Sequence, residues 1–280
     1  MSAGGSVAGG SVAGSSGGSP GAGALEASLR RARSGGRKLL VPYVTGGLGV
    51  SWLDLVAAMA DAGADAVEVG LPFSDPVMDG PTIQAASMQA LRAGATPGSI
   101  LADLRRFESP VPLVAMTYYN LVERAGHHRF VEQLRAAGLA GAIVPDLPLE
   151  EAVGWEAAAL EAGIETVLLA APVTPDKRLS EICRRTRGFV YGVNLMGVTG
   201  ERALLSAASS ALAKRLKAIT DKPVVMGFGI STPAQAVAAV AESDGVVVAS
   251  ALMRMVMEGA TLAQVAGAVA AMREALDQRV

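Results

Sequence analysis

Short apolar runs alternate along this chain with longer stretches that are rich in alanine and leucine. Each run is continuously apolar, a pattern typical of parallel strands that are buried on both faces of a sheet. We therefore predict eight strands, at Leu39–Val44, Ala66–Val69, Val111–Met116, Gly141–Val144, Thr166–Leu169, Phe189–Val193, Val224–Gly227 and Gly245–Ala249.

The stretches between these runs carry helix signals. In residues 51–62, Trp52, Leu55 and Met59 are spaced to share one helix face, and Ser51 is placed as the N-cap. Glycine follows a helical stretch just before three of the strands, as a left-handed C′ residue does. Those glycines are Gly63, Gly138 and Gly163. A Thr–Pro pair predicts a helix start at 96–97, 174–175 and 232–233.

A strand–helix unit repeated eight times predicts an α/β fold of the (β/α)8 TIM-barrel type. The alternative is an open doubly wound sheet, but no G-x-G-x-x-G follows the first strand to favour it. Residues 1–24 contain only Gly, Ser, Ala, Val, one Pro and the first Met, which predicts a flexible tail without a secretory signal. We expect residues 25–280 to form a single barrel domain.

Composition narrows the possible functions. The net charge of −2 gives no basic excess for binding nucleic acid. One cysteine and two histidines provide neither a disulfide framework nor a metal site built from these residues. No apolar run approaches the roughly 18 residues that a membrane span needs. We therefore expect a cytoplasmic protein without a metal.

Glu68 interrupts the apolar run of the second predicted strand. Active sites of these barrels lie at the C-terminal ends of the strands, and burial there raises the pKa of a carboxyl into a range suited to proton transfer. The alternative is a core glutamate paired with an arginine. The next segment, 71–82, holds two acids, three prolines and a glycine, which predicts a long, stiff loop. Its Asp75 and Asp79 either form turns or supply an acid/base pair.

The sequence from 68 to 84, Glu-Val-Gly-Leu-Pro-Phe-Ser-Asp-Pro-Val-Met-Asp-Gly-Pro-Thr-Ile-Gln, resembles the signature of the tryptophan synthase alpha chain family. Shorter similar stretches follow the family's order, at 41–45, 118–120, 144–148, 197–200 and 227–230.

The resemblance implies a lyase that cleaves indole-3-glycerol phosphate by a retro-aldol reaction into indole and glyceraldehyde 3-phosphate, with no metal or organic cofactor. Glu68 is implied to protonate carbon 3 of the indole ring and then to take a proton from a glycerol hydroxyl. Asp79 is implied to accept a hydrogen bond from the indole N–H and to stabilise the developing positive charge.

The same resemblance implies further site residues. Those expected to contact the substrate are Tyr43, Tyr118, Asp146, Tyr191 and Thr199, the last in a loop expected to close over Asp79. Those expected to bind the phosphate are Gly200, Gly229, Ala249 and Ser250, through backbone N–H groups and a helix N-terminus. Asp75 and Pro76 are expected to face a partner subunit.

The chain departs from the family pattern at two places. Ala249 stands where the family usually has glycine, and alanine is compatible with the site if its φ is negative. Residues 193–196, Val-Asn-Leu-Met, replace a segment expected to be richer in Ser and Thr.

The implied partner is the tryptophan synthase beta chain, in an alpha2-beta2 tetramer. One alternative is a free-standing indole-3-glycerol-phosphate lyase that releases indole. Another, of a different class, is a catalytically weak barrel kept as an allosteric subunit. The presence of both Glu68 and Asp79 argues against the latter.

Overall fold

Eight parallel strands pair in chain order and close into a barrel, with the last strand beside the first. The computed structural model describes residue 1 and residues 22–49, 51–193, 202–227 and 229–278. The strands are β1 Leu39–Thr45, β2 Val67–Gly70, β3 Leu113–Met116, β4 Leu139–Ile143, β5 Glu165–Ala170, β6 Val190–Val193, β7 Val224–Gly227 and β8 Gly245–Val248. Each predicted strand overlaps one of these, so the predicted (β/α)8 barrel is confirmed.

Helices connect the strands and cover the outside of the barrel. They are α1 Ala24–Ser34, α2 Trp52–Asp61, α3 Pro81–Arg92, α4 Pro97–Leu104, α5 Tyr119–Ala125, α6 His127–Ala136, α7 Val153–Glu161, α8 Asp176–Arg185, α9 Arg202–Ile219, α10 Pro233–Ala239, α11 Ser250–Met257 and α12 Leu262–Asp277. Two apolar core clusters lie between the strands and the helices, and a third fills the barrel interior. Since the strands are covered on both faces, their sequences are continuously apolar. None of the described helices is long and apolar enough to cross a membrane.

Most of the predicted helix boundaries are confirmed. Gly63, Gly138 and Gly163 have φ angles of 100°, 75° and 74°, as left-handed residues after a helix do. The hydroxyls of Thr96 and Thr232 accept backbone N–H groups at the starts of α4 and α10.

The prediction at 174–175 is wrong by one residue. Helix α8 begins at Asp176 and Pro175 is its N-cap. The hydroxyl of Thr174 accepts the N–H of Ala171 instead, because it closes a turn ahead of the helix. Ser51 precedes α2 as predicted, but its side chain makes no capping hydrogen bond.

The N-terminal end of the barrel is closed by α1, which lies outside the predicted repeat. Leu25 and Leu29 are fully buried in the interior core, beside Leu39 of β1. The first N–H groups of a helix lack partners within it. Here those of Leu25 and Glu26 donate to the carboxyl oxygens of Glu165, at 2.6 and 3.1 Å. A buried acid therefore fastens α1 to β5.

Candidate active site

Glu68 projects into the barrel interior from β2. It pairs in register with Tyr43 of β1 and Val114 of β3, and it is only 1% exposed. Its Oε1 atom is buried without a hydrogen-bond partner among the described residues. Burial, with a smaller contribution from the charge of Asp79, raises the pKa of Glu68 from 4.5 to about 8. The side chain is therefore protonated at neutral pH and can donate that proton.

Asp79 lies at the end of the loop between β2 and α3. Burial raises the pKa of its carboxyl to about 6, and a hydrogen bond with the Tyr118 hydroxyl opposes the rise. The loop is held by local bonds: the N–H of Asp79 donates to Pro76 at 3.0 Å, and the Gln84 amide donates to the carbonyl of Asp79 at 2.9 Å. One carboxyl protonated and the other ionised at pH 7 make an acid/base pair.

Three of the four tyrosines surround these two carboxyls. Burial is the main cause that raises the pKa of Tyr43, Tyr118 and Tyr191, and the charge of Asp79 adds to it in all three. Their hydroxyls therefore stay neutral and act as hydrogen-bonding groups rather than as bases.

Two of these rings lie over glycines on the neighbouring strands. A Cβ atom at Gly70 would lie 1.9 Å from the Tyr43 hydroxyl oxygen, and one at Gly227 would lie 2.5 Å from the Tyr191 ring. Such distances are far inside van der Waals contact. The glycines at the ends of β2 and β7 therefore leave the space that these two tyrosine rings occupy at the mouth of the barrel.

Asp146 follows β4 and is partly buried. Its Oδ1 accepts the backbone N–H of Tyr119 at 2.9 Å, at the start of α5. The carboxylate therefore holds the first turn of α5 against the β4 end of the barrel. Contact between Asp146 and a substrate stays a prediction.

Three of the four predicted phosphate ligands, Gly229, Ala249 and Ser250, follow β7 and β8, which are paired neighbours. Gly229 has a φ of 63°. Ala249 has a φ of −116°, so the condition set for alanine at this place is met. Ser250 is the first residue of α11, whose first N–H groups have no partner within the helix and favour an anion. Thr199 and Gly200 lie outside the described residues.

The mouth also contains apolar side chains that sequence reasoning missed. Met116, Leu169 and Val193 are partly exposed, yet they pack on the same interior core as Tyr191. They lie at or near the C-terminal ends of their strands, so they form an apolar floor. Inward strand position combined with nearness to the C-terminal end is the signal that identifies them. No group of three or more His, Cys, Asp or Glu in the described ranges is arranged to hold a metal ion.

The outer side of the β2–α3 loop is exposed and partly apolar. Asp75 is exposed and Pro76 is half-buried, as part of a loop whose next residue, Val77, is 74% exposed. On the same C-terminal face, Val173 in the loop after β5 is 70% exposed, and Val153 at the start of α7 is 64% exposed. Exposed apolar side chains grouped on one face are typical of a protein-binding surface.

Comparison with known proteins gives one family. The family described as tryptophan synthase alpha chain matches residues 29–279. Tryptophan synthase alpha chain of Streptomyces coelicolor is 42% identical over 238 residues, 84% of this chain and 88% of that protein. That of Halorhodospira halophila is 42% identical over 257 residues, 89% of this chain and 94% of that protein.

Solved structures agree. Tryptophan synthase subunit alpha of Legionella pneumophila has a TM-score of 0.85 at 30% identity, covering 92% of this chain and 100% of that one. A chain of Mycobacterium tuberculosis tryptophan synthase has a TM-score of 0.84 at 37% identity, covering 91% and 99%. The resemblance predicted from the sequence is thereby confirmed.

Proposed function

This chain belongs to the tryptophan synthase alpha chain family, and we propose that it cleaves indole-3-glycerol phosphate into indole and glyceraldehyde 3-phosphate in tryptophan biosynthesis. The observation that carries the reaction is the pair of carboxyls at the barrel mouth, with pKa values of about 8 for Glu68 and about 6 for Asp79. The proposal places the reaction in the cytoplasm.

The first step makes the indole ring a leaving group. Protonated Glu68 gives its proton to carbon 3 of the ring, and the ring nitrogen becomes positively charged. Ionised Asp79 accepts the N–H of that ring and stabilises the charge as it develops. The apolar floor of Met116, Leu169 and Val193 supports binding of the flat face of the indole ring. Tyr43 and Tyr118 are proposed to contact the edges of that ring.

The second step breaks the carbon–carbon bond. Glu68, now a carboxylate, takes the proton of the hydroxyl on the glycerol carbon bonded to the ring. The oxygen becomes the aldehyde carbonyl, the bond to ring carbon 3 breaks, and its electron pair neutralises the ring nitrogen. Indole and glyceraldehyde 3-phosphate are released with Glu68 protonated again. Tyr191 is proposed to hold a glycerol hydroxyl, and Asp146 and Thr199 complete the proposed substrate contacts.

The phosphate is proposed to bind at the ends of β7 and β8. The start of α11 at Ser250, the backbone of Ala249, and the left-handed Gly229 support this placement, because orphan N–H groups and the helix dipole favour an anion. Gly200 is proposed as a further ligand. The site needs no lysine, since backbone donors suffice for a phosphate.

The proposed partner is a tryptophan synthase beta chain, in an alpha2-beta2 tetramer. The exposed side of the β2–α3 loop, with Asp75, Pro76 and Val77, supports this because it offers apolar surface beside the mouth. Indole leaving the mouth would then meet the partner directly.

The test is an indole-release assay with purified protein and indole-3-glycerol phosphate, run with and without a beta chain. The proposal expects indole in both arms and strong stimulation by the beta chain. High activity that the beta chain does not change would favour the free-standing lyase, and no indole in either arm would contradict the proposed reaction.

A further inference from the structure

Tyr118 contacts both ends of the loop that carries Asp79. Its ring stacks on Phe73 near the start of the loop, with centroids 5.2 Å apart and an interplanar angle of 24°. Its hydroxyl oxygen accepts the N–H of Met78, the residue before Asp79, at 3.0 Å. Hydrogen bonding to this hydroxyl lowers the pKa of the Asp79 carboxyl, against the effect of burial. Tyr118 is only 3% exposed. Its polar end is thus occupied by the loop.

We propose that Tyr118 is a positioning residue for Asp79: its hydroxyl holds the loop backbone beside Asp79 and so fixes the place of that carboxyl at the barrel mouth. The inference rests on the proposed function and goes beyond it, because the resemblance implies only that Tyr118 contacts the substrate. In the structure the hydroxyl acts through Asp79.

Other hydrogen bonds near Asp79 also hold the backbone of the loop. Val77 donates to Asp75, Asp79 donates to Pro76, and Gln84 donates to the carbonyl of Asp79. All of these bonds lie within the loop or reach α3. Tyr118 lies two residues after the end of β3, so its bond to the N–H of Met78 ties the loop beside Asp79 to the barrel. An aromatic side chain has two torsions, so the tie is stiff.

Four titratable groups around the mouth of the barrel have pKa values that are shifted by the charge of Asp79. These are Glu68 on β2, Tyr43 on β1, Tyr191 on β6 and Tyr118 after β3, with Asp146 after β4 acting on Tyr118. No lysine or arginine of the described residues is among the groups that shift the pKa of either carboxyl. The Tyr118 hydroxyl is therefore the group that offsets burial and favours the charged form.

The test compares Tyr118→Phe with a matched control, Tyr119→Phe. The first change keeps the ring that stacks on Phe73 and removes the hydroxyl. The control removes a hydroxyl from the next residue, whose partners are Glu123 and His127 at the helix surface. Thermal unfolding of both variants checks that they remain folded.

The readout that needs no substrate is the pKa of Asp79, followed by carbon NMR of labelled aspartate and assigned with Asp79→Asn. We expect Tyr118→Phe to raise this pKa by about one unit, the size of a hydrogen bond to a charged group. Tyr119→Phe should leave it unchanged. An unchanged pKa in Tyr118→Phe, or an equal rise in the control, would overturn the inference.

The kinetic readout separates positioning from binding. In Tyr118→Phe we expect kcat for indole release to fall about tenfold or more, because a misplaced Asp79 carboxylate stabilises the transition state less well. KM should stay within about twofold of its value in the unmodified protein. The acid limb of the pH profile should move up by about one unit. A rise in KM alone would show a substrate contact and refute the positioning role. If the unmodified protein forms no indole, the proposed function fails, while the NMR result still decides the inference.

Discussion

Two glutamates, each 1% exposed, lie at opposite ends of the barrel and differ in their hydrogen bonding. At the N-terminal end, Glu165 accepts the N–H groups of Leu25 and Glu26 and fastens α1. At the C-terminal end, Glu68 keeps a buried oxygen without a partner among the described residues. Burial raises the pKa of both, but in Glu165 the two backbone bonds oppose it.

The difference separates stability from chemistry. An unpaired buried carboxyl costs free energy of folding, and proteins keep such groups mainly where a reaction uses them. A carboxyl that accepts two backbone N–H groups contributes to stability instead. A glutamate thus helps to close the barrel at one end, and another glutamate takes part in the proposed reaction at the other end.

The sharpest way to break this comparison is Glu68→Gln. The amide fits the same space and has no proton to transfer, so we expect kcat for indole release to fall by about 10³-fold or more. The folded state should be at least as stable as the unmodified protein at pH 8. Indole formation and urea unfolding measure the two effects, and near-normal turnover would remove Glu68 from the mechanism.

A second change, Asp79→Asn, removes the charge that faces the ring nitrogen. We expect kcat to fall by about 10²- to 10³-fold, as when one electrostatic partner of a transition state is lost. Substrate affinity should change little, because the positive charge exists only during reaction. Steady-state kinetics and equilibrium binding of the substrate check this. Weakening of binding by the same factor would mean that Asp79 acts on the ground state.

The matched change at the other end is Glu165→Gln. It replaces a charged acceptor of two N–H groups by a neutral amide, so we expect the free energy of unfolding to fall by about 1–3 kcal/mol. Activity per folded molecule should stay within about twofold of the unmodified protein. Urea unfolding and indole release together test this. A large loss of kcat in the folded variant would contradict the conclusion that Glu165 contributes to stability and not to the reaction.

The smallest expected effect is on the pH dependence of the free energy of unfolding. The pKa of Glu68 is about 8 when folded, against an ordinary value of 4.5. Between these values the folded state holds a proton that the unfolded state has lost, so stability falls as pH rises. The slope for this one group is at most about 1.4 kcal/mol per pH unit. Urea unfolding from pH 5 to 8 should show this extra loss in the unmodified protein and not in Glu68→Gln. Equal slopes would mean that Glu68 is already ionised at neutral pH.

The barrel was predictable because its signals are local. Each signal lies within a few residues: an apolar run predicts a strand, a glycine such as Gly63 predicts a helix end, and a Thr–Pro pair predicts a helix start. The structure confirms these predictions except at Thr174. Glu68 was predictable as a candidate for a similar reason, since a charged residue inside a buried run is visible in the sequence.

Contacts between distant parts of the chain were not predictable in this way. Leu25 and Glu165 are 140 residues apart, and Met78 and Tyr118 are 40 apart. Nothing in the local pattern of either partner indicates the other, because the closed barrel brings them together. Helix α1, the fastening by Glu165, and the link from Tyr118 to Asp79 therefore came from the structure.

The glycines under Tyr43 and Tyr191 have a consequence for changing substrate scope. Gly70 and Gly227 have no room for even a methyl group, so variation there would displace a ring before it reshaped the pocket. Met116, Leu169 and Val193 are side chains on the open floor, and their size can change without that conflict. A library meant to admit substituted indoles should therefore vary these three positions and leave the two glycines alone.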